Sequence, residues 1–210
     1  MPRDSVMNIA QGGDCIRVQW TGAWLPRCRS LPRHDMGHRV LNGLPNHQVV
    51  CPSWSRVDGH ELWLSECHRI GFSPEARLYE QGTRTSQDAA DQLGCDVAHI
   101  AKSIVFVGEE GAVVVIASGA NRVDRKRKLK RALGYKPGMA TPEYVLESTG
   151  YQIGGVPPFG HTRDVSVLMD EDLMQYETIW GAGGTAQTVF PISPAELLEI
   201  SGAALADVRQ

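Results

Sequence analysis

The apolar positions of this chain are densest between Ala101 and Arg122, in the stretch AKSIVFVGEEGAVVVIASGANR. Val, Ile and Phe fill two runs, Ser103–Val107 and Ala112–Ala117, which predict two buried strands. The intervening Gly108-Glu109-Glu110-Gly111 predicts a tight turn, since glycine adopts the positive φ that such turns require. Upstream, Leu62, Leu64, Cys67 and Ile70 predict a short helix with one apolar side, closed by Gly71, and Arg77–Glu80 predicts a strand. Thr85 or Ser86 caps a second helix containing Ala89, Ala90 and Leu93, ended by Gly94, and Val97, Ala98 and Ile100 make a turn leading into Lys102. Downstream, Thr141-Pro142-Glu143 opens a helix that stops at Gly150. Short strands are predicted at Tyr151–Ile153, Val165–Met169, Thr178–Ala182 and Thr188–Ile192. Ser193-Pro194-Ala195-Glu196 reads as a capping box that starts a last helix with Leu197, Leu198 and Ile200, closed by Gly202. Short helices interleaved with hairpins and single strands predict an α+β domain on a mixed sheet.

Residues 1–60 differ: neither a 3.6-residue nor a two-residue apolar period persists there. This segment holds seven Arg and four Asp but no Lys or Glu, together with three of the five Trp and four of the seven His. The expectation is an atypical extension over 1–60, either a disordered arm or upstream sequence translated from a start called too early, followed by one domain over 61–210. His34 and His38 stand at a spacing that a helix could offer to a metal, but Gly37 and the neighbouring arginines oppose it. The net charge of −3 argues against nucleic-acid binding by bulk charge, and no apolar run approaches the ~20 residues of a membrane span. Cys15, Cys28, Cys51, Cys67 and Cys95 are odd in number with no CxxC pair, which predicts free thiols in a reducing cytoplasm and no zinc site or cofactor.

Lys102 breaks the apolar pattern at the mouth of the first strand. The second strand ends in Ser118-Gly119-Ala120-Asn121, so an antiparallel hairpin brings a cation beside a small polar cup. Gly154–His161 (GGVPPFGH) predicts a stiff, sharply turned loop whose amides suit a ligand, although a purely structural turn is the simpler reading of such a loop alone. Asp170 ends a strand, beside Glu171 and Asp172. Lys102, the Ser118, Gly119 and Asn121 cup, the loop and Asp170 combine one cation with several donors and no protein nucleophile. That set suits a carbonyl or phosphate and a developing negative charge. Residues 122–131 (RVDRKRKLKR) carry seven basic residues against one acid, with Leu129 and Leu133 on one side. They predict an amphipathic helix, either a solvated face or a contact to phosphates through Arg122, Arg125, Arg127 and Lys128.

Ala101-Lys102-Ser103, Ala117–Arg122 (ASGANR), Gly150–Gly160 (GYQIGGVPPFG), Met169-Asp170-Glu171 and Glu177–Trp180 (ETIW) occur in an order and spacing that resembles the YbaK/ProX-type aminoacyl-tRNA deacylases. These are free-standing relatives of the editing insertion of bacterial prolyl-tRNA synthetase, and the likeness covers about residues 61–210. It implies a strongly curled, barrel-like mixed sheet flanked by short helices. It also implies hydrolysis of the ester of a mischarged tRNA, a small residue such as Cys or Ala on tRNA for proline, with aminoacyl-tRNA and prolyl-tRNA synthetase as partners. On this resemblance Lys102 and Asp170 are the catalytic pair. The family's substrate loop corresponds to Gly154, Val156, Pro157, Phe159 and Gly160; Gly155 and His161 belong to the same loop and are read as substrate-binding with it, His161 being its one candidate to assist a water. The family's late glycine motif is kept only in part, as Gly181-Ala182-Gly183-Gly184, with Gly183 the expected wall of the pocket. Two other readings stand beside it: a module that binds aminoacyl-tRNA or a synthetase without turnover, and a site for a nucleotide or amino-acid ester that makes no use of the basic segment.

Overall fold

The computed structural model describes residues 58–79 and 85–210, together with the backbone of two strands near the N-terminus. The chain forms two units, residues 1–50 and 51–210. In the first, β1 (Met7–Gln11) and β2 (Asp14–Val18) pair antiparallel, a hairpin that the sequence pattern does not announce. The expectation of a disordered arm or early start, and the reading of metal binding at His34 and His38 as opposed by their neighbours, fall on positions that otherwise lie outside the described residues.

The second unit is built on a mixed sheet of eight strands in the order β10-β7-β5-β4-β8-β9-β3, with β6 also paired to β4. These are β3 (Arg77–Leu78), β4 (Ile100–Val107), β5 (Ala112–Ser118), β6 (Gly138–Met139), β7 (Ser166–Asp170), β8 (Ile179–Ala182), β9 (Thr188–Ile192) and β10 (Ala204–Ala206). The hydrogen-bonded path ends at β10 and β3, so the sheet is open and does not close into a barrel. The helices are α1 (Gly59–Ile70), α2 (Ser86–Leu93), α3 (Lys130–Leu133), α4 (Pro142–Thr149) and α5 (Pro194–Ser201). Their ends follow the local chemistry. Thr85, Thr141 and Ser193 accept from the backbone N–H three residues on, and Gly71, Gly94, Gly134, Gly150 and Gly202 close helices in the left-handed conformation.

Every residue of β5 is buried, because layers cover both of its faces, and this explains its unbroken apolar run. One face carries Ala112, Val114 and Ile116 into the main core with Trp63, Tyr151, Phe159 and Phe190. The other carries Val113, Val115 and Ala117 against Leu129, Leu168 and Val208. Three readings of the pattern need correction. Tyr151–Ile153 is not a strand, because Tyr151 is drawn into the core and its hydroxyl donates to the Gly160 carbonyl at 2.7 Å. The strand at Arg77 is two residues long. On α1 the deeply buried residues are Trp63 and Cys67, while Ile70 is 41 % exposed.

The partial glycine motif has a packing role. Gly184 has φ +93°, and a Cβ there would lie 2.1 Å from the Gly59 carbonyl oxygen, so the start of α1 meets the turn after β8 backbone to backbone. Trp63 then stacks on Phe190, with ring centroids 4.5 Å apart. Trp63→Ala should cost about 3–5 kcal/mol of stability. Ile70→Ala, seven residues along the same helix, should change it by no more than about 0.5 kcal/mol. Urea unfolding of both variants checks the assignment of the buried side.

Candidate active site

Lys102 sits within β4, opposite Ala117 of β5. Its Nζ donates to the carbonyl of Gly119 at 3.1 Å and to that of Asn121 at 2.6 Å. The cation and the 118–121 turn therefore meet, and they do so through backbone carbonyls. Asp170, 1 % exposed, lies behind them. Its Oδ2 accepts from the Ser118 N–H at 3.2 Å and from Asn121 Nδ2 at 2.7 Å, and its Oδ1 accepts from the Asp172 N–H at 3.2 Å. Asn121 Nδ2 also donates to Asp172, which Arg209 reaches at 3.2 Å. Ser118 Oγ donates to the Ala98 carbonyl. Burial pushes the Lys102 ammonium below the usual lysine range, and the charge of Asp170 pulls it part of the way back.

A cleft of about 120 Å³ opens beside Lys102. Its lining includes Ala101, Lys102 and Ser103 of β4 and Trp180, Gly181 and Ala182 of the neighbouring β8, which pairs with β4 at Ile100 and Ala101. Thr85, Ser86 and Ala89 at the start of α2, with Gly154 and Val156 of the Gly154–His161 loop, complete it. Of the loop positions expected to hold a ligand, only these two reach the cleft. Pro157 and Phe159 are buried, Phe159 in the main core, and Gly155 packs against the backbone of Thr185. Gly160 lies over Glu66 and Trp63. Gly183 is held outside the cleft, its N–H donating to the Thr188 carbonyl and its own carbonyl bonded to the His60 ring. The loop is thus an anchored support that presents two residues. Lining residues that the sequence reading passed over are Ser103, Trp180 and the start of α2. Trp180 had a visible signal, its place in the Glu177–Trp180 run that carries the resemblance. Arg77 lies over its ring at 4.7 Å.

His161 is also a support. Its Nε2 is 3.0 Å from the Pro157 carbonyl, which assigns the proton of the neutral ring to Nε2. Burial pushes its pKa down to about 4, against the opposing effect of that hydrogen bond. Cys67 is a core thiol, pushed up to about 12 by burial. Among the described residues no group of three His, Cys, Asp or Glu is arranged to hold a metal, and no helix is long and apolar enough to cross a membrane.

The basic segment begins as a π-helical turn, Arg125–Leu129, capped by Asp124, and continues as α3. Leu129 is fully buried, as its spacing predicts. Arg125 donates to the Pro137 carbonyl at 2.7 Å and Lys128 pairs with Asp207, so these two have intramolecular partners. Arg122, Lys126, Arg127, Lys130 and Arg131 are exposed.

Residues 80–200 match the family model for the aminoacyl-tRNA editing domain, and the chain belongs to that family. Among solved structures, a candidate trans-editing enzyme for prolyl-tRNA synthetase superposes with a TM-score of 0.70 and 40 % identity, over 73 % of this chain and 98 % of that one. YwhH of Bacillus subtilis, an uncharacterised protein, is 36 % identical over 124 residues, 59 % of this chain and 78 % of its own length. EbsC of Enterococcus faecalis, a candidate Cys-tRNA(Pro)/Cys-tRNA(Cys) deacylase, is 24 % identical over 146 residues, 69 % of this chain and 89 % of its own.

The half-buried His161 generates a pH dependence. Unfolded, it titrates near 6.5; folded, near 4. Between these values only the unfolded chain binds the proton, so stability is undiminished above pH 6.5 and falls as pH drops through the window, by about 3 kcal/mol at its lower end. His161→Gln keeps an N–H for Pro157 without a titrating ring, and should flatten the urea midpoint between pH 7 and pH 5. A midpoint that falls as steeply as in the wild type would remove His161 from the acid response.

Proposed function

We propose that this protein is a trans-acting aminoacyl-tRNA deacylase of the cytoplasm, which hydrolyses the ester of a small misplaced amino acid, such as Cys or Ala, on tRNA for proline. The observation that carries the reading is that Lys102, Gly154 and Val156 line one small cleft beside the strand end that holds Asp170. Family membership supports the substrate class, and the EbsC and trans-editing relatives support proline tRNA. A lysine ammonium has three N–H donors. Two are directed at the Gly119 and Asn121 carbonyls, which leaves the third for the ester carbonyl or the phosphate of the terminal adenosine. Asp170 is a positioning residue in this scheme, holding the 118–121 turn that holds the lysine. Water attacks the carbonyl, or a ribose hydroxyl or a nucleophilic side chain of the substrate attacks first and water then cleaves the acyl product. The ester C–O bond breaks, and the ribose oxygen leaves with a proton.

Lys102→Ala should lower kcat/KM by about 100-fold, the worth of one transition-state interaction, in protein whose folded state is verified by circular dichroism. The assay is ester loss from tRNA charged with Cys, Ala, Ser, Thr or Pro. Retained activity in the variant would remove Lys102 from the mechanism. No ester loss with wild-type protein that still binds charged tRNA would make it a binding module, with prolyl-tRNA synthetase the next partner to test.

The exposed charges of the basic segment are proposed to touch the acceptor stem. Changing Lys126, Arg127 and Lys130 to Gln should weaken tRNA binding and reduce the slope of log K against log salt by about one for each phosphate no longer neutralised. Binding of aminoacyl-adenosine should be untouched. An unchanged slope would leave the segment as a solvated face.

A further inference from the structure

Strand β4 changes partner along one of its edges. It pairs with β8 at Ile100 and Ala101 and with β6 at Phe106 and Val107, so residues 102–105 have neither strand beside them. The phase of the β4–β5 ladder says which groups face that opening. The Gly119 N–H donates to the Ile100 carbonyl at 2.7 Å, and at the other end of the hairpin the Gly108 N–H donates to the Gly111 carbonyl at 2.8 Å. Both bonds place the even-numbered residues of β4 in hydrogen-bonded pairs with β5. The N–H and C=O of Ser103 therefore point to the opposite edge, into the interval between β8 and β6. Among the described residues no hydrogen bond to either group is found. The Ser103 hydroxyl is also buried, with no hydrogen-bond partner among the described residues. Ser103 lines the same cleft as its neighbour Lys102.

One residue thus presents three hydrogen-bonding groups that are unpaired among the described residues, at the candidate active site. A buried hydroxyl without a partner is destabilising unless a ligand or water satisfies it, and the strand edge beside it offers further groups to such a ligand. We propose that Ser103 is the docking residue for the aminoacyl group, which pairs with it as a single residue of an added antiparallel strand. This rests on the deacylase reading for the identity of the ligand. In such a pair one residue exchanges both of its backbone hydrogen bonds with one partner. The substrate's α-ammonium donates to the Ser103 carbonyl, and a second of its protons goes to Ser103 Oγ. The substrate carbonyl accepts from the Ser103 N–H, which puts a backbone donor on the atom that gains charge when the ester is attacked. The ligand class follows: an acyl group with a free α-ammonium, in extended form, whose side chain is small enough for the space between Val156 and Gly181. Because these interactions use atoms that every α-amino acid shares, they select for an aminoacyl ester as such and leave the choice of side chain to the cleft walls.

Binding separates this inference from turnover. The probes are 3′-alanylamino-3′-deoxyadenosine, whose amide is not cleaved, its N-acetyl derivative, and the lactyl analogue with a hydroxyl in place of the ammonium. Isothermal titration with the full-length protein should show binding of the alanyl compound, and a loss of at least tenfold for the other two. Ser103→Ala is a small change within a strand, and its thermal unfolding provides the check on folding. It should weaken the alanyl compound by about tenfold and leave the lactyl compound, which has no ammonium to lose, within about twofold. Equal affinity of wild type for alanyl and N-acetyl compounds overturns the proposal, as does a Ser103→Ala variant that binds the alanyl compound as wild type does, or a wild type that binds none of the three. If the expected binding pattern holds while no charged tRNA is deacylated, the docking role stands and the hydrolase reading falls.

Discussion

An ammonium group removed from water must be solvated by the protein, and that requirement organises one end of this sheet. Lys102 occupies a β4 position whose neighbours on the same face, Ile104 and Phe106, pack in an apolar layer. Burial works against its charge. Two backbone carbonyls and the Asp170 carboxylate offset that penalty, and each in turn needs support. The carbonyls are aimed by the turn after β5. Asp170 ties that turn to β7 through the Ser118 N–H and the Asn121 amide, and its second oxygen caps the 3₁₀ turn Glu171–Gln175. Three adjacent strands of the sheet, β4, β5 and β7, are thereby joined at one end through a single charge.

The same logic separates residues that touch the cleft from residues that hold it. The Gly154–His161 loop is rich in the residue types expected of a binding loop, yet most of it faces inward. Phe159 belongs to the aromatic core, His161 braces the Pro157 carbonyl, and the Tyr151 hydroxyl holds the carbonyl of Gly160. A loop fixed at so many points presents Gly154 and Val156 to the cleft with little freedom. The backbone approach of Gly59 to Gly184 extends the same support from α1 to the turn after β8, whose residues Trp180, Gly181 and Ala182 also line the cleft.

The open interval in β4 adds a feature of another kind. A sheet in which one strand is shared between a parallel neighbour and an antiparallel one leaves unpaired backbone between them. Exposed edges of this sort are where extended ligands add to sheets. Here the interval is four residues long, and Lys102 and Ser103 within it line the cleft.

Local chemistry alone determined the helix ends, the central hairpin and the meeting of Lys102 with the 118–121 turn. A cap, a glycine stop and an antiparallel register depend on residues close together in the chain, and their spacing is visible in it. The resemblance to editing domains was legible for a related reason, since its motifs are short runs at fixed separations. What the pattern of residues could not reveal depended on long-range pairing. That Tyr151 turns inward, that Trp63 and not Ile70 marks the buried side of α1, and that the sheet stays open are outcomes of how distant layers compete for the same apolar surface. Which loop residues face the cleft, which basic side chains already have partners, and the isolation of Ser103 were decided only when β8 and β6 took their separate places along β4, because no local rule fixes where a strand exchanges one neighbour for another.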